Sequence, residues 1–393
     1  MKKTITPLAI ILFVMAGFGG CKQSGSRNEN IIKVDVTASY PKKELILQDF
    51  MDVEYIPLET KEGFLNQGFL LDVGKDIILV MNRNGDGDIF VYDRTGKAIR
   101  KINHKGQSGE EYINIFKITL DEENGEMFVD DIYAKKIVVY DLYGKFKRSF
   151  KHKEGSTYSE IFNFDQKHLI CYDRFISDYG EANRQSFMII SKQDGSITKE
   201  IEIPFKEKIS TAVMLKNEEN KVIAYAPIPH FNSITPYEDN WLLAESSSDT
   251  IYKYSSGYNM TPFVVRTPSI QSRDPKVLLV LRLVSDRYIF METIEKVYNF
   301  NTNEGFPQSF FMYDKQEKAS LGYTIYNSDY STKKEIYVNS LRPANNEIKW
   351  QSIETYQLVE AYEKGELKGR LKEIAATLDE ESNPVIMLIK YKK

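Results

Sequence analysis

Four histidines, His104, His152, His168 and His230, are the first candidates for chemistry in this 393-residue chain. A catalytic metal site needs several imidazole or carboxylate ligands at ligand spacing, and these scattered positions lack it. His104 and His152 follow two similar hairpins, so they could face a common side, but surface positions inherited from a repeat explain them more simply. The sequence therefore predicts no metal site and no cofactor.

A polar turn supplies the second candidate. Asn82, Asn84, Asp86, Gly87 and Asp93 occupy positions 1, 3, 5, 6 and 12 of a calcium loop of the EF-hand type. Such a loop lies between helices, usually begins with Asp and ends with Glu, whereas this segment lies between two runs of strand character. Its Asn-Gly and Asp-Gly pairs are typical of hairpin turns. We interpret the segment as a turn, with calcium binding as the alternative.

Neighbouring carboxylates are the third candidate, at Asp130 and Asp131, Glu110 and Glu111, and Glu380 and Glu381. Adjacent residues of a strand point to opposite faces, which makes such pairs poor acid/base partners. We predict that they are solvated charges in turns. The chain also lacks the GxSxG, HExxH, P-loop and GxGxxG signatures, so no catalytic residue is assigned.

Repeated hairpins are the elements that would have to position any site. A strand ending in Tyr-Asp is followed after two residues by Gly-Lys and a return strand, with Gly96 and Gly144 placed to take the positive φ of a tight turn. The Asp can cap the turn with its side chain. Two clear copies and three weaker ones lie at 89–102, 136–150, 187–201, 250–265 and 310–325.

The spacing of these hairpins predicts the fold. Successive copies are 48, 52, 62 and 59 residues apart, as expected for four-stranded propeller blades. A sixth blade can be assembled from strands at 31–36, 53–59 and 384–391, which would close the ring and remove exposed edges. The fold class is therefore an all-β, six-bladed β-propeller, and its many Tyr and Phe residues suit strand surfaces.

One segment departs from the β pattern. Residues 354–381 place apolar side chains at helical intervals, with a break near Gly365 to Gly369, and predict one or two short helices. Asn383 and Pro384 then end the helix and begin the last strand. A helical cover on one face of the ring is favoured over a separate docking element for a partner.

The amino-terminal residues predict export and anchoring. Lys2 and Lys3 precede an apolar run that is too short for a lasting membrane span, so residues 1–20 are interpreted as a signal peptide. Gly19-Gly20-Cys21 resembles a lipobox, which makes Cys21 the lipidated residue and 21–30 a flexible tether to a propeller at 31–393. The tether lacks an acidic run, which favours the periplasmic face of the outer membrane over the cell surface.

These features together resemble the Bacteroidetes six-bladed β-propeller lipoproteins, which are similar to NHL-repeat propellers. The pieces that match are VEYIPLET (53–60), KGQSGEEY (105–112), SSDTIYKY (247–254) and SNPVIMLIKY (382–391). The resemblance implies fold and location more than chemistry, because fold does not determine function.

The sequence favours a binding or scaffolding role over catalysis. The expected ligand is a glycan, a peptide or an envelope protein, and the alternative is a lyase or hydrolase with its site at the central channel. Basic and acidic residues, 52 and 56 in number, are closely mixed and leave no basic stripe, so nucleic acid is not an expected partner.

Overall fold

The computed structural model describes residues 31–174, 185–228, 232–344 and 348–392. Their strands form a six-bladed β-propeller, as the hairpin spacing predicts. In the described part of the chain no helix is long and apolar enough to cross a membrane. The signal peptide, Cys21 and the tether predicted at 1–30 lie outside the described residues.

Each of the first three blades is a sheet of four consecutive antiparallel strands. Blade 1 consists of β4 (Phe69–Val73), β5 (Ile77–Met81), β6 (Asp88–Asp93) and β7 (Ala98–Asn103). Blade 2 consists of β8 (Lys117–Asp121), β9 (Glu126–Asp131), β10 (Lys136–Asp141) and β11 (Phe146–Lys151). Blade 3 consists of β12 (Tyr158–Asn163), β13 (His168–Asp173), β14 (Phe187–Ser191) and β15 (Ile197–Ile201).

Blades 4 and 5 carry small additions. A separate hairpin, β16 (Ala212–Lys216) and β17 (Val222–Pro227), precedes blade 4, which consists of β18 (Ile234–Tyr237), β19 (Asn240–Leu243), β20 (Thr250–Ser255) and β21 (Met260–Thr267). Blade 5 consists of β22 (Val277–Val284), β23 (Tyr288–Glu295), β26 (Gln308–Asp314) and β27 (Ala319–Asn327). Its short additions are β24 (Tyr298–Asn299), β25 (Glu304–Gly305) and β28 (Lys334–Glu335). Single 3-10 turns lie at Ile270–Ser272 and Val338–Ser340.

Blade 6 joins the two ends of the chain. Its strands are β29 (Arg342–Pro343), β30 (Ile348–Ile353), β31 (Val385–Tyr391) and, from the amino-terminal part, β3 (Met51–Pro57). Met51 pairs with Tyr391 and Pro57 pairs with Val385, so β3 is the outer strand of this blade. The predicted helical segment forms α2 (Thr355–Glu363) and α3 (Gly369–Ala375) between β30 and β31, and both pack into the cluster between blades 5 and 6.

The segment before β3 runs along the outside of the ring. It contains β1 (Ile32–Asp35), β2 (Lys42–Ile46) and the single-turn α1 (Leu47–Phe50). The assignment of residues 31–36 to the closing blade is wrong. Instead β1 pairs in parallel with β21 of blade 4, and β2 pairs in parallel with β27 of blade 5. We call residues 31–46 the strap, because its strands pair with the outer strands of both blades. Neither outer strand is therefore left as an unpaired sheet edge.

Hydrophobic clusters between neighbouring blades explain the strand patterns. The middle strands of a blade are covered on both faces, so residues Ile89 to Tyr92 of β6 are all buried. The outer strand is covered on one face, so in β7 Ala98 and Ile102 are buried while Ile99 is exposed. Each of the six blade interfaces contains one such cluster.

The predicted turn chemistry is confirmed in both clear hairpins. Asp93 Oδ1 accepts hydrogen bonds from the backbone N–H of Thr95 at 2.8 Å and of Lys97 at 3.1 Å. Asp141 repeats this contact pattern in blade 2. Gly96 has a φ of +89°, and a Cβ there would lie 2.0 Å from the carbonyl oxygen of Pro57. Glycine is thus required both by the backbone conformation and by the close approach of β3.

The direction of the inner strands defines the two faces of the ring. The inner strands β4, β8, β12, β18, β22 and β29 begin at what we call the upper face and end at the lower face. Outer strands run from lower to upper, because each blade is an up-and-down sheet. Since β1 is parallel to β21, the strap enters at the lower side of blade 4.

Candidate functional site

The described histidines lie apart, each with its own partner. The His104 ring stacks on Tyr140 with 4.8 Å between centroids, and His168 Nδ1 lies 2.9 Å from Asp165 at the surface. His230 lies outside the described residues. No three His, Cys, Asp or Glu side chains of the described ranges are grouped so that they could hold a metal ion.

The sequence prediction was wrong about the exposure of His152 and of the two neighbouring carboxylates of β9. His152 was expected at the surface and Asp130 and Asp131 in solvated turns, yet all three are buried. The reason is that β9 is covered on both faces, so successive side chains are both enclosed. Burial raises the pKa of Asp130, and the hydrogen bond to His152 opposes that rise. Glu380 and Glu381 are exposed, as predicted.

The segment resembling a calcium loop forms a turn whose polar groups bind one another. Asn82 Nδ2 donates to Asp86 Oδ2 at 2.7 Å, and Asp86 Oδ1 accepts from the backbone N–H of Asp88. Asp93 lies at the far end of β6. At the length that each residue adds to an extended strand, it is about 20 Å from Asp86. It caps the next turn instead, so positions 1 and 12 of the supposed loop cannot share one ion.

Acidic side chains near the axis of the ring connect neighbouring blades. Asp72 Oδ2 of blade 1 accepts from Leu120 N of blade 2 at 2.8 Å. Glu160 of blade 3 accepts from Ser233 N at 2.8 Å and from Ile234 N at 3.0 Å, at the start of blade 4. Burial raises the pKa of Asp72 to about 7 and also raises that of Glu160. Both carboxyl groups thus have a structural role.

Two lysines near the same axis have no such partners. Lys117 Nζ lies 3.8 Å from the ring centre of Phe162, and Lys349 is only 6% exposed. No hydrogen bond or ion pair connects either ammonium group to another side chain of the described chain, although both are attracted by Glu160. Burial lowers the pKa of Lys117 and lowers that of Lys349 to about 8.

A cavity of about 530 Å³ opens at the upper face above this charged region. Strands of blades 1, 2, 3 and 6 and the hairpin β16–β17 form its walls. The aromatic and charged side chains of the lining are Phe69, Phe116, Phe162, Tyr172, Trp350, Lys117, Glu160, Arg174 and Arg342. Three cations thus face one carboxylate. The volume and the mixture of aromatic walls with a few polar groups are typical of small-ligand sites.

A wider funnel of about 1430 Å³ opens at the lower face, where all six blades contribute. Its charge has the opposite sign, with eight acidic against five basic residues in the lining. Two of the acidic groups are engaged within the protein: Asp121 pairs with Lys192 at 2.6 Å, and Glu122 accepts hydrogen bonds from backbone N–H groups of the loop after β4. We take the upper cavity as the candidate binding site, because two of its cations, Lys117 and Arg342, have no side-chain hydrogen bond or ion pair to another described residue.

Comparison with known families places the chain in a defined group. The profile of DUF4934, a domain of unknown function, matches residues 30–390 and so covers the whole propeller. The chain belongs to the DUF4934 family. No curated protein matches it.

One solved structure shares its fold with this DUF4934 protein, and others are similar at lower scores. A putative exported protein from Bacteroides fragilis superposes with a TM-score of 0.56 at 14% identity, over 90% of this chain and 100% of that chain. A DUF4221 family member from Bacteroides vulgatus gives 0.43 at 8% identity, over 87% and 96%. Virginiamycin B lyase from Staphylococcus aureus gives 0.34 at 12% identity, over 87% and 100%.

The cavity residues of this DUF4934 protein were not singled out from the sequence. One signal was present: Phe69 and Lys117 are 48 residues apart, the same interval that separates the first two hairpins, and each begins an inner strand. Arg342 gave no comparable signal, because its two-residue strand falls outside the hairpin repeat.

Proposed function

We propose that this protein is a lipid-anchored, extracytoplasmic binding protein that holds a glycan or a peptide in the upper cavity without chemically changing it. The observation that carries the proposal is the cavity itself, in which aromatic walls surround Lys117 and Arg342, two cations that have no carboxylate partner among the described residues. Phe116, which is 39% exposed, and Phe69 offer apolar surface, while Lys117 and Arg342 supply donors.

The acid/base groups near the cavity support binding rather than catalysis. Glu160 is the single carboxylate among the described residues of the lining, and both of its oxygens accept backbone hydrogen bonds. Glycoside hydrolysis commonly uses two carboxyl groups on either side of the scissile bond. The buried His152 lies in the interface between blades 2 and 3, where it contacts Tyr158.

The anchor and the fold together suggest an orientation. Lipidation of Cys21 would leave a tether of nine residues, at most about 30 Å long, before Ile31. The strap enters at the lower side of the ring, so the lower face would lie toward the membrane and the upper cavity would point away from it. The exported relative from Bacteroides fragilis is consistent with an extracytoplasmic location, and we place the protein on the periplasmic face of the outer membrane.

A binding screen with matched aromatic variants tests this function. Purified residues 22–393 are applied to arrays of oligosaccharides and of short peptides, and each bound compound is then titrated by calorimetry. Phe116→Ala should weaken binding about tenfold or more, whereas Phe310→Ala removes an equally exposed ring on blade 5 and should leave it unchanged. Unaltered affinity in Phe116→Ala, or recovery of the ligand in cleaved form, would refute the proposal.

A further inference from the structure

Two arginines converge on one aromatic ring at the edge of the upper cavity. Arg342 lines both the cavity and an adjoining recess, which we call the rim, and Arg83 lines the rim alone. The guanidinium carbons of Arg83 and Arg342 lie 4.7 Å and 4.9 Å from the ring centre of Phe69. Arg342 also lies 5.9 Å from the ring centre of Trp350, which contacts Phe69 edge to face at 5.5 Å. The turn after β5 of blade 1 and strand β29 of blade 6 thus bring two like charges together at the interface between these blades.

Neither guanidinium group is neutralised by a described residue. No hydrogen bond or ion pair connects the side chain of Arg83 or of Arg342 to another residue within the described ranges. The acidic groups of the adjoining rim are already engaged: Asp86 binds within its own turn, and Asp88 contacts Lys101 at 3.2 Å and Asn103 at 2.7 Å. Among the described residues, the rim therefore presents two sets of guanidinium donors to which no side chain is bound.

Lys117 extends this pattern into the cavity. Its ammonium group has no hydrogen-bond partner among the described residues, while Glu160, a carboxylate of the same lining, accepts backbone hydrogen bonds with both oxygens. Unpaired cations grouped around a recess raise the local concentration of anions and attract them to the site. A planar guanidinium group matches a carboxylate with two parallel hydrogen bonds, and Arg stacked on an aromatic ring is held ready for that geometry.

We propose that the Arg83–Phe69–Arg342 cluster is a carboxylate-binding site and that the ligand of the cavity is an oligosaccharide containing uronic acid. This inference rests on the proposed function and narrows it to one ligand class. A uronic acid ring carries C–H groups on its faces and a carboxylate at its edge. It can therefore lie against the exposed ring of Phe116 while its carboxylate reaches Arg342, since both residues line this cavity.

The decisive test compares acids with their own neutral esters. Oligosaccharides of galacturonate, glucuronate and mannuronate are titrated beside their methyl esters, with calorimetry and Trp350 fluorescence as readouts. At least one acid should bind, its ester should bind at least about tenfold more weakly, and affinity should fall as salt increases. Arg83→Gln and Arg342→Gln should each weaken binding of the acid about tenfold, whereas Arg370→Gln, in an exposed ion pair on α3, should not.

The remaining outcomes separate this inference from the broader function. If esters bind as tightly as acids and Phe116→Ala abolishes both, the cavity is a binding site but the carboxylate site is wrong. If an acidic peptide such as triglutamate binds through the arginines while no uronate does, the ligand class is wrong. If no glycan or peptide binds at the cavity, both proposals fail.

Discussion

His152 Nε2 lies 2.8 Å from Asp130 Oδ1, and this pair is enclosed between blades 2 and 3 with the imidazole ring tilted on Tyr158. Removing one partner of a buried polar pair leaves the other without compensation for its lost hydration. We therefore expect His152→Ala to lower the free energy of unfolding by about 3 kcal/mol in urea denaturation. His168→Ala breaks a His–Asp contact of similar length at the surface and should change it by less than about 1 kcal/mol. Equal effects would contradict the structural role of the buried pair.

Asp72 predicts a pH dependence of stability. Its pKa is raised from 3.8 to about 7 by burial, so the folded state holds the proton that the unfolded state loses as the pH rises above about 4. This group therefore stabilises the fold at low pH, and its contribution falls as the pH increases from about 4 to about 7. Urea denaturation across this range should show a steeper decline for the wild type than for Asp72→Asn. Asp76→Asn, at a solvated position after β4, should keep the wild-type slope.

The strap offers a test of the parallel pairing on blade 4. Val34 is 2% exposed and packs in the cluster between blades 4 and 5, whereas Lys33, the adjacent residue, points to solvent. Val34→Asp should lower the free energy of unfolding by about 3 kcal/mol, because a carboxylate is placed in an apolar cluster. Lys33→Asp should change it by about 0.5 kcal/mol or less. Similar losses in both variants would show that β1 does not pack as described.

Cys21 gives a prediction about the cell envelope. If it carries the lipid, Cys21→Ser should lose palmitate labelling and move from the membrane to the soluble fraction. Cys171→Ala serves as the control, since Cys171 is a buried residue of β13 and should have no part in anchoring. Membrane association of Cys21→Ser at the wild-type level would remove the anchoring proposal and the orientation derived from it.

The hairpins were predictable because their information is local. Tyr-Asp before a glycine with positive φ specifies a turn whatever surrounds it, and Asp93 and Asp141 make the expected contacts. The strap was not predictable, because the four residues of β1 alternate in a way that would fit the outer edge of any blade. Only the tertiary structure selects blade 4.

The cavity could be predicted in outline only. A propeller fold implies a recess where the inner strands begin, and the blade interval relates Phe69 to Lys117. The convergence of Arg83 and Arg342 depends on how blade 1 meets blade 6, and those positions are far apart along the chain. The burial of Asp130 was missed for a similar reason. The sequence around an aspartate does not distinguish one in a solvated turn from one enclosed between two blades.

Closure of blade 6 also sets an order of events during synthesis. Met51 to Pro57 emerge early, but their partners in β31, Val385 to Tyr391, are made much later. Contacts between such distant segments form slowly, so the apolar side of β3 must stay uncovered until β31 has been synthesised. A chain that stops before residue 385 lacks the strand between β30 and β3 and should be degraded by proteases. Pairing of β3 in blade 6 thus depends on β31, the strand that lies beside it in the sheet.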